Sequence, residues 1–375
     1  MGAAANRIKN MAEGLNGFGN DVTVICPLPN YPKGKIFNDY KRKLYTKERI
    51  NNISVRRFWI YPSISKNPLV RFVSMISFAI TLWFSTFSLF KKKPDLFIIQ
   101  SPPLFIALSG LLLSKIFRVK NVLNVSDIWP LSALELKVIK RGRFYSLLEK
   151  IEQWNYNLAD KIIGQSEEII EHIKLKVSKP TTVYRNTPFF KEYSEKGKSD
   201  SLKIVYAGLL GYAQGILNLC KHINFKELGV ELHIYGAGME EKEILKHIKD
   251  SKDFIFFHGS VTSNEIKKCI RKYDIALIPL LNTIKGAVPS KIFEQMQLGM
   301  PILYVGGGEA SKIINEYKIG YTSLPGNYND LKDNIYLYKT LLPKEYTEFS
   351  NNCLKIHKEK FNLDYQLNKI REFII

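Results

Sequence analysis

Short β-branched runs alternate with longer stretches of helical period along the whole chain. That alternation restricts it to an α/β fold built from parallel βαβ units, with helices on both faces of a sheet. In the first half the strand runs fall at 22–26, 55–60, 96–100, 122–125, 161–164 and 182–184, and the polar run 191–200 then reads as a linker. The second half restarts the pattern at 203–207, 231–235, 254–258, 275–279 and 302–305. A length of 375 residues exceeds what one core usually serves. Two doubly wound, Rossmann-like domains facing a cleft are therefore expected, 1–190 and 191–364, with a final helix at 365–375 that suits either domain. Ligands of such sheets bind beyond the carboxyl ends of the strands.

Charge narrows the partners. Lys and Arg total 55 against 35 Asp and Glu, a formal charge of +20, which favours phosphate-rich ligands or anionic lipid headgroups. No zinc-finger spacing or RNA-binding aromatic signature accompanies it, so nucleic acid is not an expected partner. Cys26, Cys220, Cys269 and Cys353 form no CxxC pair, which fits a reducing compartment, and the N-terminus lacks the pattern of a secretory signal. The run 72–90 is uncharged and about as long as a membrane span needs. Ser74, Ser77, Thr81, Ser85, Thr86 and Ser88 interrupt it, so a buried helix, or one whose outer face touches lipid, is the expectation. Lys91, Lys92 and Lys93 would complement the dipole at its end or meet anionic headgroups.

The sharpest local signal is Val288-Pro289-Ser290-Lys291-Ile292-Phe293-Glu294-Gln295-Met296-Gln297-Leu298-Gly299-Met300-Pro301, which follows a strand and opens a helix. Ser290 is expected to cap that helix, leaving first-turn amides and Lys291 suited to a diphosphate. Glu294 lies one turn on, where a carboxylate accepts hydroxyl hydrogen bonds of a ribose, while Ile292, Phe293 and Met296 face the core. Gly299 ends the helix. The bland reading makes Ser290 a cap and Glu294 a solvated helix residue.

This segment, with Gly306-Gly307-Gly308-Glu309-Ala310 and Lys318-Ile319-Gly320, closely resembles the donor-binding segment of family-4 glycosyltransferases of GT-B fold. Tyr206-Ala207-Gly208-Leu209-Leu210-Gly211-Tyr212-Ala213-Gln214-Gly215 resembles the glycine turn that opens the family's C-terminal domain. Small residues there admit phosphate close to backbone amides. Tyr235-Gly236-Ala237-Gly238 and His258-Gly259-Ser260-Val261 are similar to its loops around the nucleotide base. An ordinary turn is the competing reading of Gly236-Ala237-Gly238, because Glu241 stands where a dinucleotide fingerprint needs its third glycine. Asn124-Val125-Ser126-Asp127-Ile128-Trp129-Pro130 and Pro27-Leu28-Pro29-Asn30-Tyr31-Pro32-Lys33-Gly34 match a narrower branch, the O-antigen and capsule transferases of the N-acetyl-L-fucosamine transferase-like kind. Asp127 either orients a sugar hydroxyl or caps a helix, and Trp129 either stacks on a pyranose or fills the core.

The resemblance implies a retaining transferase. A UDP-sugar would bind at Gly208, Gly211, Gln214, Gly236, Gly238, His258, Gly259, Ser290, Lys291 and Glu294; Asp127 and Lys291 would serve catalysis, and Gly2 and Trp129 would lie on the acceptor side. No metal and no cofactor beyond the donor is expected, since no HExxH, DxD or clustered histidine site appears. The implied acceptor is a polyprenyl-diphosphate-linked glycan at the anionic inner face of the cell membrane. A GT-B epimerase and a non-catalytic membrane-associated scaffold are the alternatives. Two departures stand out. Many relatives carry two glutamates with seven residues between them, but Gly286 occupies the earlier position. Many also follow the glycine turn with Arg and Lys, where this chain has Tyr212 and Gln214. Finally, Gly2-Ala3-Ala4-Ala5-Asn6-Arg7 resembles the loop and helix start that follow the family's first strand, so a truncated or late-assigned start is expected.

Overall fold

The computed structural model describes residues 3–31, 34–65, 68–86, 93–187, 198–199, 201–262, 265–266 and 269–375. Gly2, Lys33, Lys91, Lys92 and most of the linker run 191–200 lie outside the described residues. Two compact units emerge: Met1–Asn186 with Gln366–Ile375, and Thr187–Tyr365.

In the first unit the strands form two sheets. Strands β1 (Thr23–Pro27), β2 (Tyr45–Ile50) and β3 (Ile53–Phe58) run in the order β1-β3-β2. Strands β4 (Leu96–Ser101), β5 (Lys120–Val125), β6 (Lys161–Gly164) and β7 (Thr181–Val183) make a parallel sheet in sequence order. The antiparallel β2–β3 hairpin turns on Asn51 and Asn52, both at positive φ, the left-handed pair that suits a two-residue hairpin. Strand β5 is buried at every position but its first, as a parallel strand covered on both faces must be. The helices are α1 (Ala3–Gly17), α2 (Pro68–Thr81), α3 (Leu104–Ile116), α4 (Leu131–Glu135), α5 (Arg143–Leu158) and α6 (Glu167–Lys174).

Of the apolar run 72–90, residues 87–90 lie outside the described residues. α2 stops at Thr81 and a 3₁₀ turn, Leu82–Ser85, follows. Two of the hydroxyls that interrupt the run are used: Thr81 Oγ1 donates to Trp59 O (2.7 Å), and Ser77 Oγ accepts from Tyr61 N (2.9 Å). Ser77 Oγ in turn donates to Ser74 O (2.7 Å), a local side-chain bond of the kind that competes with the helix's own backbone bonds. Among the described residues no helix is long and apolar enough to cross a membrane.

The second unit is one six-stranded parallel sheet of β8 (Lys203–Ala207), β9 (Glu231–Tyr235), β10 (Ile255–Gly259), β11 (Ile275–Pro279), β12 (Ile302–Val305) and β13 (Gly320–Ser323). Its order is β10-β9-β8-β11-β12-β13, a doubly wound sheet whose order reverses between β8 and β11. Side chains alternate across it. Ile204, Leu232 and Leu277 join one core, while Val205 and Ala276 join the other. The covering helices are α7 (Ile216–His222), α8 (Phe225–Leu228), α9 (Glu241–Ser251), α10 (Ser290–Gln297), α11 (Glu309–Glu316), α12 (Tyr328–Thr340) and α13 (Pro343–Ile356). A last helix, α14 (Leu363–Ile374), returns to the first unit. There Gln366 Oε1 accepts from Arg185 N (2.9 Å), and Lys161 Nζ donates to Phe373 O (2.7 Å).

Candidate functional site

A cavity of about 460 Å³ opens at the carboxyl ends of the second unit's strands, beside the β8/β11 reversal where such sheets bind ligands. Its walls come from the turn after β8 (Gly208, Leu209), the turn after β9 (Gly236, Ala237), the loop after β10 (Ser260, Val261) and α10. Backbone bonds hold these loops together. Gly208 N donates to Tyr235 O (2.9 Å), Leu210 N to Ala237 O (3.0 Å), Gly236 N to Gly259 O (2.9 Å) and Leu281 N to Ala213 O (2.9 Å).

α10 supplies the polar wall. Lys291, Glu294, Gln295 and Leu298 follow one another at helical spacing and all face the cavity, while Ile292, Phe293 and Met296 are buried in the core. Ser290 does not cap the helix as expected. The N-cap position is Pro289, whose extended backbone (φ −60°, ψ 125°) starts the helix without any side-chain cap bond, so Ser290 is already in the first turn. Ser290 is also not among the residues lining the cavity. The other end is closed as expected: Gly299 is left-handed (φ +64°), its N bonds Met296 O (3.1 Å), and Met300 N bonds Gln295 O (3.0 Å). That is a Schellman closure.

Lys291 Nζ donates to the carbonyl oxygen of Ala207, at the end of β8 and beneath the glycine turn. Burial lowers the pKa of Lys291 below its ordinary value, and the nearby Glu294 carboxylate partly offsets the shift. A desolvated ammonium beside a glycine turn and a carboxylate one turn away can hold a diphosphate and a diol respectively. Gln295 is a wall residue that motif reading passed over. It is 5% exposed and its Oε1 has no hydrogen-bond partner. Its signal was the interval of four from Lys291, legible once the helix start is fixed.

The glycines divide by role. A Cβ on Gly208 would stand 2.8 Å from the Tyr206 hydroxyl and 3.2 Å from Lys291 Cε, so glycine there keeps the turn open beside the lysine. Gly236 and Gly238 are needed for backbone crossing, because a Cβ would come within 1.9 Å of Gly208 O and 2.1 Å of Leu210 O respectively. Gly211, Gln214, Gly238, His258 and Gly259 do not line the cavity. His258 is nevertheless tied to its wall: the ring stacks on Tyr235 (centroids 4.4 Å), and Nε2 lies 3.0 Å from His233 Nδ1. His233 Nε2 in turn lies 2.9 Å from Glu231 Oε2.

In the first unit Asp127 follows β5. Its Oδ2 accepts from Ser132 Oγ (3.0 Å), and burial raises its pKa against the opposing effect of that bond and of the Ile128 N–H. Trp129 is partly buried against Leu104, Leu148 and Ile151. Asp127 thus bonds to the short helix that follows it, and the Trp129 ring is engaged with the core. Among the described residues no group of three or more His, Cys, Asp or Glu could hold a metal ion.

Residues 2–186 match the model of the glycosyl transferase 4-like domain, and residues 201–337 match that of glycosyl transferases group 1. The chain belongs to the group 1, family-4-like glycosyltransferases. A relative of this family from Escherichia coli (strain K12), named as a colanic acid biosynthesis glycosyl transferase, is 26% identical over 231 residues, 56% of each chain. The chain thus matches a little over half the length of that relative. Among solved structures, sucrose-phosphate synthase from Thermosynechococcus elongatus is similar at a TM-score of 0.72 and 13% identity, over 98% of this chain and 91% of that one. Anabaena HepE in complex with UDP and glucose gives a TM-score of 0.64 and 15% identity, over 95% and 99%. These likenesses establish the two-domain GT-B fold of this glycosyltransferase.

Proposed function

We propose that the chain transfers one sugar, an N-acetylated deoxyhexose such as N-acetyl-L-fucosamine, from a UDP donor to a polyprenyl-diphosphate-linked glycan in O-antigen or capsule synthesis. The work is done at the cytoplasmic face of the membrane. The observation that carries the reading is the placing of Lys291 and Glu294 on one helical turn of a cavity wall, over the glycine turn that ends β8. The diphosphate lies against Gly208 and Lys291, Glu294 takes the ribose hydroxyls, and the base meets Val261, Ile266, Ile270 and Leu298. A volume of about 460 Å³ suits a ligand of this size. The E. coli relative's name and the UDP in the HepE complex support a biosynthetic, UDP-dependent reaction.

Chemically, the bond from the anomeric carbon to the donor phosphate breaks as the acceptor hydroxyl arrives on the same face. The phosphate oxygen takes the acceptor's proton. Negative charge that develops on the leaving diphosphate is stabilised by Lys291, which is already positioned and partly desolvated. Gly286 is buried with φ +81°, a backbone a glutamate would strain to adopt, so no carboxylate reaches the sugar from that position.

The test is sugar transfer to a polyprenyl-diphosphate-linked acceptor, with the anomeric configuration read by NMR. Retention is expected, EDTA should leave the rate unchanged, and Lys291→Met should lower kcat about a hundredfold or more. Transfer that survives Lys291→Met, or that stops with EDTA, contradicts the mechanism. Isomerisation of the donor without acceptor would indicate an epimerase instead.

A further inference from the structure

Three helices of the first unit form one layer. α3 covers β4 and β5, and α2 and α5 pack on α3. The Phe72 ring meets both Phe105 (5.2 Å) and Phe144 (6.0 Å), which fixes α2 against the other two. The inner side of α5 is Tyr145, Leu148, Ile151, Glu152, Asn155 and Tyr156, all buried.

The outer side of α5 is not the polar face such a helix normally shows to water. Its exposed positions are Arg143, Phe144, Ser146, Leu147, Lys150, Trp154 and Asn157, which include three large apolar side chains and two cations, while the one nearby anion on the helix's flank, Glu149, is half-buried. Trp154 is 52% exposed and Leu147 47%. Next to it α3 exposes Leu112 and Ile116, the latter 61% exposed. Between the two helices runs a groove of about 430 Å³, lined by Leu108, Leu112, Trp154, Asn157 and Leu158. The loop leading into α5 continues the pattern, with Lys137, Lys140 and Arg141 exposed around Val138.

We infer that this α3/α5 face docks on an anionic lipid bilayer. Apolar side chains interleaved with cations along one helical stripe suit burial of the former below the headgroups and pairing of the latter with lipid phosphate. A tryptophan at the edge of such a stripe is suited to the water–lipid boundary. A protein partner would need carboxylates opposite these cations at fixed places, whereas a bilayer meets them wherever they fall. With no helix among the described residues able to span a membrane, the face provides an attachment that lies on the surface. The inference extends, and rests on, the proposal that the acceptor is lipid-linked.

The experiment is co-sedimentation of the full chain with vesicles of phosphatidylethanolamine and phosphatidylglycerol, against phosphatidylcholine alone. Wild type should bind the anionic vesicles and weaken with salt. The pair Leu147→Ser and Trp154→Ser should lose binding about tenfold or more. Arg143→Gln with Lys150→Gln should lose the preference for anionic vesicles. Titration of UDP into each variant should be unchanged, which shows an intact fold and separates this inference from the donor site. Failure of wild type to bind anionic vesicles, or equal binding by the apolar pair, overturns it. So does a wild-type dimer that the apolar pair dissociates, since the face would then be an interface between copies. Vesicle binding as expected without any UDP binding would contradict the donor reading alone.

Discussion

A methyl group on Gly238 would stand 2.1 Å from the carbonyl oxygen of Leu210, a backbone atom that is itself tied to the amide of Glu240 at 3.1 Å. Neither partner can yield cheaply. Gly238→Ala is therefore expected to destabilise the second unit by about 3 kcal/mol, measurable as a shift in its urea midpoint with no change in the first unit. An unchanged midpoint would mean that the loop relaxes. In the sequence this glycine reads as part of a loop around the nucleotide base, or as an ordinary turn. What makes it indispensable is a crossing of two loops that lie about thirty residues apart, which local pattern does not reveal. Lys291 and Glu294 were legible because helical period alone puts both on the face opposite Ile292, Phe293 and Met296. Gln295 shares that face, four residues from Lys291, but was passed over because an amide between a carboxylate and a core methionine gives no motif of its own. Buried Glu152 was missed for the same reason: it accepts from Tyr156 (2.8 Å), His172 (2.8 Å) and Lys176 (2.5 Å). Burial pushes its pKa up, and these bonds more than reverse that, leaving it lowered. Glu152→Leu should cost about 3–5 kcal/mol in the first unit by stranding Lys176 and the tyrosine hydroxyl.

α10 shows which element boundaries a sequence determines. Gly299 fixes the end through a left-handed residue that carries two backbone bonds, and a Cβ there would also press on Ser350 Oγ at 3.0 Å. Gly299→Ala should cost about 1–2 kcal/mol from the backbone alone, read by thermal unfolding, and an equal stability would contradict the Schellman closure. The start was misjudged by one residue, because a serine before an apolar run suggests a cap, while proline at Pro289 sets the helical entry without one. The β2–β3 hairpin was half missed. Its signal, alternation around Asn51-Asn52, was present, but β2 is exposed along most of its length and so lacks the apolar run that marks the parallel strands. Strands such as β5 and β11, buried nearly throughout, were plain in the sequence for the opposite reason.

Across the whole molecule, doubly wound order in the second unit and the return of α14 to the first are the features least dependent on any single residue. His357 sits where α13 passes into a π-helical turn, and burial lowers its pKa to about 4 from 6.5. The unfolded chain binds a proton as pH falls through 6.5, whereas the folded one resists until about 4. The stabilising effect is complete above 6.5 and is lost on descending to 4, by about 3 kcal/mol. His357→Leu should flatten that part of the pH profile of the second unit, and an unaltered slope would assign it to other groups. The central claim concerns the cavity at the β8/β11 reversal, and calorimetric titration of UDP, with GDP and ADP as controls, tests it most directly. Folded wild type should bind UDP selectively, and Glu294→Ala, equally folded by circular dichroism, should bind it at least about tenfold more weakly. Wild type that binds no nucleotide, or binds UDP as tightly after Glu294→Ala, would contradict it.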